Sequence, residues 1–229
     1  MNRDAFLQRV RDAARSGNAH RVHLRDDLPP RVGYCGAGED AVARMATEVN
    51  QVGGQAQIVD RLTDAGPALL ALCKEYGART AFCWEHPVLE RLGLDQLLQT
   101  ADIRRLNHGL LAALPRDEQR REILAADMGI SSASWTVAET GSLAMLSAPG
   151  RERLASLAPP VHVAIVTRSQ ILPDLFDLFD KLVAAGPEYL PSNLTLITGP
   201  SKTGDLELRL TTGVHGPGKW RVIVCREDG

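Results

Sequence analysis

The sequence predicts an α/β fold in which a mostly parallel sheet is flanked by helices. Short apolar runs with the pattern of strands alternate with helical patterns of ten or more residues, the usual length of a crossover between parallel strands. Residues 161–166 form an apolar run that suits a strand covered on both faces. Glycines stand where the helical patterns end, as they commonly do at helix C-termini.

Each predicted element has a local signal in the sequence. Apolar runs indicate the strands, and apolar residues that recur every three or four positions indicate the helices. Gly53, Gly77 and Gly186 mark helix ends, and Pro173 is expected in the first turn of its helix. The predicted strands are residues 32–35, 56–59, 79–84, 142–146, 161–166, 194–198 and 220–225, and the predicted helices are residues 3–14, 39–52, 64–76, 116–126 and 173–185.

The chain is expected to have an N-terminal arm followed by one folded domain. Residues 3–14 have an amphipathic helical pattern, whereas residues 20–31 are charged and contain two prolines. We therefore assign residues 1–31 to a helix and linker arm, and residues 32–229 to a single α/β domain. The helix is expected to pack on its own domain, and a second copy of the chain is the alternative.

Charge and composition argue against nucleic acid and membranes as partners. The 229 residues include 26 Lys and Arg against 28 Asp and Glu, which gives a formal net charge of −2. This balance lacks the basic excess that binding to a phosphate backbone requires. The longest apolar runs are too short to span a bilayer, and residues 1–10 lack the apolar core of a secretory signal. We therefore expect a cytoplasmic protein.

No cysteine or histidine pattern predicts a metal site. The four cysteines are Cys35, Cys73, Cys83 and Cys225. They are far apart, whereas zinc and iron–sulfur motifs usually place ligands two or three residues apart. His20 and His23 have a spacing that suits a shared metal, but no third ligand is near them in the sequence. We expect no metal and no cofactor in this chain, with the cysteines as small buried apolar residues.

A glycine-marked cluster that follows residues 194–198 has the clearest binding logic. It reads Gly199-Pro200-Ser201-Lys202-Thr203-Gly204-Asp205. After a buried strand, at the carboxyl edge of a sheet, it would offer backbone N–H groups, hydroxyls and an ammonium group to an anion. The spacing of a Walker A loop is absent. The alternative is a tight turn in which Ser201, Thr203 and Asp205 cap a helix.

Two further clusters carry candidate acid–base residues. In Ala138-Glu139-Thr140-Gly141-Ser142, Glu139 suits a nucleophile or general base if it faces a pocket, and a salt bridge otherwise. In Thr212-Gly213-Val214-His215-Gly216-Pro217-Gly218, glycines around His215 allow a ligand to approach closely, and the alternative is a histidine held within a glycine turn. Arg151 and Arg153 suit either a carboxylate ligand or an exposed loop.

Together and in this order, the three clusters resemble the signature of the lactate-utilisation (LUD) domain family, and of its protein C branch in particular. The resemblance extends from about residue 125 onward. It implies a fold similar to that of the sugar-phosphate isomerase and CoA-transferase group. The implied site is one small-anion pocket that contains Glu139, Thr140, Gly141, Gly199, Ser201, Lys202, Thr203, Asp205, Gly213, His215 and Gly216.

The role that the resemblance implies is in bacterial oxidation of L-lactate to pyruvate, alongside partner proteins that carry iron–sulfur clusters. The family has an Arg where this chain has Lys202, so a bidentate contact becomes a point-charge contact. One alternative is a free-standing CoA-transferase-like or sugar-phosphate-binding enzyme with Glu139 as its nucleophile. The other is a non-catalytic scaffold. No nicotinamide or flavin motif is present, so redox chemistry by this chain alone is not expected.

Overall fold

The structure is a computed structural model, and it describes residues 3–18, 36–186, 191–204 and 210–228. The chain divides into two compact units, Met1–Tyr34 and Cys35–Gly229. In the first unit, helix α1 spans Arg3–Asn18, which confirms the predicted helix. The predicted linker, with His20 and His23, and the predicted strand of residues 32–35 lie outside the described residues. The domain boundary after residue 31 and the packing partner of the helix stay predictions.

The second unit contains the strands and the remaining helices. The strands are β1 Gln55–Val59, β2 Thr80–Cys83, β3 Arg104–Leu106, β4 Met128–Ser131, β5 Trp135–Val137, β6 Ser142–Leu146, β7 Val161–Thr167, β8 Ile171–Leu172, β9 Leu194–Ile197, β10 Lys202–Gly204, β11 Leu210–Thr212 and β12 Lys219–Cys225. The helices are α2 Ala41–Gln51, α3 Leu62–Glu75, α4 Pro87–Arg91, α5 Leu94–Thr100, α6 His108–Ala112, α7 Arg116–Leu124 and α8 Leu175–Ala185.

Six of these strands form a sheet in the order β1-β12-β7-β4-β2-β3, and every neighbouring pair in it is parallel. The central strand β7 is buried along its whole length, as its apolar sequence predicts for a strand covered on both faces. The α/β fold with a mostly parallel sheet flanked by helices is therefore confirmed. Residues of this sheet and of α2, α3, α4 and α5 share one hydrophobic core.

Helix α2 passes along the sheet and ends at the site described below. It begins after Asp40, whose carboxylate accepts hydrogen bonds from the backbone N–H groups of Val42 and Ala43 at 3.0 and 3.1 Å. Val42, Met45 and Val49 are buried on one side of the helix, three or four residues apart. The helix ends at Gln51, with Val52 as its C-cap, and Gly53 follows with φ of 90°.

Helix α8 begins at Leu175, two residues later than the sequence suggests. Asp174 is the N-cap, because its carboxylate accepts from the backbone N–H groups of Phe176 and Asp177 at 2.6 and 3.0 Å. Pro173 therefore precedes the cap, and its predicted place in the first turn is wrong. A carboxylate that satisfies two free N–H groups sets the start of this helix, and the fixed φ of the proline does not.

A second, smaller sheet has the order β8-β5-β6-β9, with β6 antiparallel to both of its neighbours. The prediction that β9 is a buried strand is wrong, because its residues are half-buried or exposed and Leu196 is 41% exposed. β9 pairs with β6 at one edge of this sheet, and on its other side it has no neighbouring strand among the described residues. Helix α8 covers part of this sheet through Leu178 and Leu182.

The residues after β9 form a short antiparallel hairpin of β10 and β11, with Thr203 opposite Thr211. The alternative in which Ser201, Thr203 and Asp205 cap a helix has no support in the described part of this segment, which contains strand and turn. Residues 205–209 lie outside the description. Among the described residues, no helix combines the length and the apolar character needed to cross a membrane.

Candidate functional site

The second and third glycine clusters line one open pocket of about 300 Å³. The predicted site residues that line it are Gly199, Ser201, Lys202, His215 and Gly216. Two backbone hydrogen bonds hold the loops together: Ser201 N–H donates to the Pro217 carbonyl at 2.9 Å, and Gly213 N–H donates to the Ser201 carbonyl at 3.0 Å. The Ser201 N–H thus joins the two loops and is already occupied by a protein acceptor.

The pocket lies at the amino ends of two central strands of the parallel sheet. Its wall includes Leu157, shortly before β7, and Pro217, shortly before β12. The expectation that the second cluster lies at the carboxyl edge of this sheet is therefore wrong. The reason is that β9, which leads into the cluster, belongs to the smaller sheet.

Two buried side chains from the sheet also line this pocket, and sequence reasoning missed them as site residues. His162 on β7 and Trp220 on β12 are partners in the strand register and are 0% and 1% exposed. His162 Nε2 lies 2.8 Å from the hydroxyl oxygen of Ser131. His162 Nδ1 and Trp220 Nε1 have no hydrogen-bond partner among the described residues. The available signal was a histidine within an otherwise apolar strand, but its neighbour depends on the strand register.

Burial keeps the imidazole of His162 neutral. Transfer of a charged group away from water is unfavourable, and burial lowers the pKa of His162 from 6.5 to about 3. At neutral pH the ring therefore has one N–H donor and one bare nitrogen acceptor. Together with the indole N–H of Trp220, which only donates, it supplies uncharged hydrogen-bonding groups to this part of the wall.

Lys202 supplies positive charge to the pocket, but part of that charge serves the fold. The side chain is exposed, and its Nζ donates to the carbonyl oxygen of Val52 at 2.5 Å. Val52 is the C-cap of α2, where free carbonyl groups create partial negative charge. Lys202 therefore caps a helix as well as lining the pocket.

The first cluster adjoins the pocket without lining it. Glu139 is half-buried, and its N–H donates to the Pro173 carbonyl at 3.1 Å. Thr140 contacts the Ser142 hydroxyl at 2.7 Å, and Ser142 contacts the Thr198 hydroxyl at 2.6 Å. Thr198 lines the pocket, so this chain of hydroxyl groups connects the first cluster to the second.

One glycine from the first cluster and one from the second pack closely against the last turn of α2. A Cβ atom on Gly141 would lie 2.6 Å from the Val49 nitrogen, and one on Gly199 would lie 2.7 Å from the Val52 carbonyl oxygen. Both glycines also have positive φ, of 65° and 88°. Their hydrogen side chains are therefore needed for packing, whatever contact they make with a ligand.

The remaining candidates fall elsewhere. Thr203 and Gly213 are not among the pocket-lining residues, and Asp205 lies outside the described residues.

Arg151 and Arg153 lie in a different region of the protein. Gly150, next to Arg151, accepts a hydrogen bond from Glu85 N–H, just beyond the carboxyl end of β2. Burial, together with the positive charges of Arg151 and Arg91, lowers the pKa of His86 in that region to about 4. Arg153 begins a short 3-10 turn.

The described residues show no group of three or more His, Cys, Asp or Glu that could hold a metal ion. The absence of a cofactor in this chain stays a prediction. Cys73, Cys83 and Cys225 are free thiols in the core, and burial raises their pKa values to about 11, 12 and 11. At neutral pH they are protonated, which suits their predicted role as small apolar residues.

Comparison with known proteins places this arrangement in a family. The fold is similar to the crystal structure of a DUF162 family protein from Deinococcus radiodurans, with a TM-score of 0.55 and 19% identity over 81% of this chain and 96% of that one. The sequence profile of the LUD domain matches residues 42–225. The chain belongs to the LUD domain family, as the resemblance of its three clusters predicts.

Several individual relatives are similar to this chain over most of its length. Lactate utilization protein C from Halalkalibacterium halodurans is 35% identical over 171 residues, which cover 74% of this chain and 71% of the relative. A protein of the same name from a Geobacillus species is 26% identical over 99% of this chain and 96% of its own length. The uncharacterized protein YkgG from Escherichia coli is 34% identical over 72% of this chain and 70% of its own length.

Proposed function

We propose that this chain is a cytoplasmic component of a bacterial L-lactate utilisation system, in which iron–sulfur partner proteins carry the electrons from the oxidation of L-lactate to pyruvate. The relatives named Lactate utilization protein C support this role. The observation that carries a ligand-binding function is the convergence of the second and third glycine clusters on one pocket. In this proposal the chain binds a small anion there and needs no cofactor of its own.

The pocket has groups suited to a small anion. Lys202 Nζ has donors left beyond the one given to Val52, and the Ser201 hydroxyl and the His215 imidazole line the same pocket. His215 is exposed, so it is accessible to a ligand that enters from solvent. Thr140 is connected to the pocket by the hydroxyl chain that ends at Thr198, and Glu139 and Asp205 are part of the proposed site through their places in the first and second clusters.

Genetic complementation tests the cellular role. A bacterium that has lost its own protein C is expected to regain growth on L-lactate when it produces this chain, and His215→Ala is expected to slow that growth. His108→Ala is the matched control, because His108 is also exposed but pairs with Glu152 rather than lining the pocket. Failure of the wild-type chain to restore growth, although it is produced in folded form, would contradict the proposal.

Two further measurements separate this proposal from the alternatives. Co-purification of the chain with iron–sulfur proteins from cells grown on lactate is expected under the proposal. A CoA-transferase-like enzyme would instead form a covalent glutamyl adduct at Glu139 after incubation with an acyl-CoA, visible by mass spectrometry and absent in Glu139→Gln. Normal growth with Glu139→Gln would remove that residue from the proposed site.

A further inference from the structure

The inner wall of the pocket contains two buried nitrogen atoms that lack a hydrogen-bond partner among the described residues, His162 Nδ1 and Trp220 Nε1. Buried polar groups in folded proteins are nearly always paired, so an exception requires an explanation. Eight buried side-chain polar atoms of the described residues lack a partner, and these two belong to side chains that line the same cavity, on adjacent positions of neighbouring strands. A ligand with acceptor atoms would supply a hydrogen-bond partner for each of the two nitrogen atoms.

The positions of these two residues suit one planar group with two oxygen atoms. Neighbouring strands are separated by about 4.8 Å, and residues in register carry their side chains on the same face of the sheet. A hydrogen bond from nitrogen to oxygen is about 2.9 Å long, so a carboxylate placed between the two rings can accept one bond from each.

Both rings are held in place before any ligand arrives. The six-membered ring of Trp220 packs on Gly54, where an added Cβ would lie 2.4 Å from Cε3 of the indole. The imidazole of His162 is held through Nε2 by the Ser131 hydroxyl at 2.8 Å. When this hydroxyl donates to Nε2, the ring proton is on Nδ1, which then becomes a donor.

The charges around the pocket limit the charge of its occupant. His162 and Trp220 contribute uncharged groups, and the ammonium group of Lys202 also faces the negative end of α2. A ligand with one negative charge suits this balance. A phosphate ester, with nearly two negative charges and three strong acceptors, would call for the arginine or lysine cluster or the helix N-terminus that proteins commonly use for phosphate.

We propose that this pocket binds a small monocarboxylic acid, and that the indole N–H of Trp220 and the Nδ1–H of His162 donate to its carboxylate oxygens. The proposal rests on the proposed function, because it names the ligand class of the same pocket. It adds two ligand-binding residues that the glycine clusters do not contain, with Ser131 as a positioning residue that holds the ring of His162 through Nε2. It also argues against the alternative that this chain is a sugar-phosphate-binding enzyme.

Nuclear magnetic resonance of the indole N–H groups tests this directly. The full chain has three tryptophans, and their three indole signals are assigned by comparison with Trp220→Phe and Trp84→Phe. The probes are L-lactate, pyruvate and acetate, with inorganic phosphate and ribose 5-phosphate as the competing class. The Trp220 signal is expected to move with the carboxylates in a saturable way, and the Trp84 signal to stay in place because its N–H donates to the Glu152 carbonyl.

Variants measure the contribution of each donor. Trp220→Phe keeps a ring but removes the N–H, and it is expected to weaken carboxylate binding about tenfold or more, as the loss of a hydrogen bond to a charged group does. His162→Gln keeps a group near the Nε2 position that faces Ser131 and removes the one at Nδ1, so it is expected to weaken binding. His162→Asn keeps a group near Nδ1 and is expected to bind more tightly than His162→Gln. Trp84→Phe is the control with unchanged affinity.

Two results would overturn the inference. One is a Trp220 signal that none of the three carboxylates moves at millimolar concentrations, and the other is tighter binding of either phosphate compound. Thermal unfolding of each variant shows whether it is folded, and the two His162 variants keep the test valid if Trp220→Phe does not fold. A responsive Trp220 signal without growth complementation would leave this inference standing and remove the lactate role, whereas complementation with an unresponsive signal would do the reverse.

Discussion

The ammonium group of Lys202 donates a hydrogen bond to the carbonyl oxygen of Val52 at 2.5 Å, so a loop that the sequence marks as an anion site also closes the C-terminus of α2. The two residues are 150 positions apart in the chain. A cation is favourable at this end of a helix, because the last carbonyl groups have no partners within the helix. The positive charge of Lys202 therefore serves both the pocket and the C-terminus of α2.

Lys202→Met is expected to lower the free energy of unfolding by about 1 kcal/mol, because it removes both the hydrogen bond and the favourable charge at the helix end. Lys202→Arg is expected to recover part of the loss, because it keeps the charge. Urea unfolding followed by circular dichroism measures the difference. Lys181→Met on the exposed face of α8 is the matched control, with an expected change within about 0.5 kcal/mol. Equal losses for Lys181 and Lys202 would show that Lys202 does not cap α2.

Gly141→Ala is expected to destabilise the protein by about 3 kcal/mol or more, because the new Cβ would meet the backbone of α2 at 2.6 Å from the Val49 nitrogen. Gly77→Ala is the matched control. Gly77 has a φ of 62°, close to the 65° of Gly141, but a Cβ there would meet nothing within 4 Å. Its expected cost is the backbone strain alone, about 1 kcal/mol. Similar unfolding free energies for the two variants, measured in urea, would contradict the close packing of Gly141 on α2.

Much of the main sheet could be predicted from local sequence patterns. β7 and β12 are apolar runs, and helix signals such as the spacing of Val42, Met45 and Val49 identify the connection between strands. These signals are local, because burial on both faces requires apolar side chains at successive positions. The shorter strands β3 and β8 have too few residues to show a period, and the sequence did not reveal them.

The site could be predicted only in part, because its members depend on long-range pairing. The glycine clusters identified Ser201, Lys202 and His215, which the structure brings to one pocket. The assignment of β9 to the smaller sheet and the register that places His162 beside Trp220 have no local signal. A pattern of apolar residues predicts a strand, but it does not state which strand will be its neighbour.

The buried neutral imidazole of His162 makes stability depend on pH. Its pKa is about 3 in the folded protein and 6.5 when the ring is exposed to water. Between these values the unfolded chain takes up a proton that the folded protein does not, so the free energy of unfolding falls as the pH falls below about 6.5. The loss amounts to about 1.4 kcal/mol for each pH unit within this window. Above a pH of about 6.5 the ring is neutral in both the folded and the unfolded protein, so His162 causes no loss of stability there.

Unfolding in urea at about pH 8 and about pH 5 is expected to show a loss of about 2 kcal/mol from His162 alone. His86 and the carboxylates also titrate, so the prediction concerns the difference between the wild type and His162→Gln. Glutamine does not ionise and keeps a polar group facing Ser131, so the variant is expected to be less stable at pH 8 and to lose less stability on acidification. Parallel pH profiles for the two proteins would mean that the imidazole of His162 takes up a proton in the folded state, which its full burial does not allow.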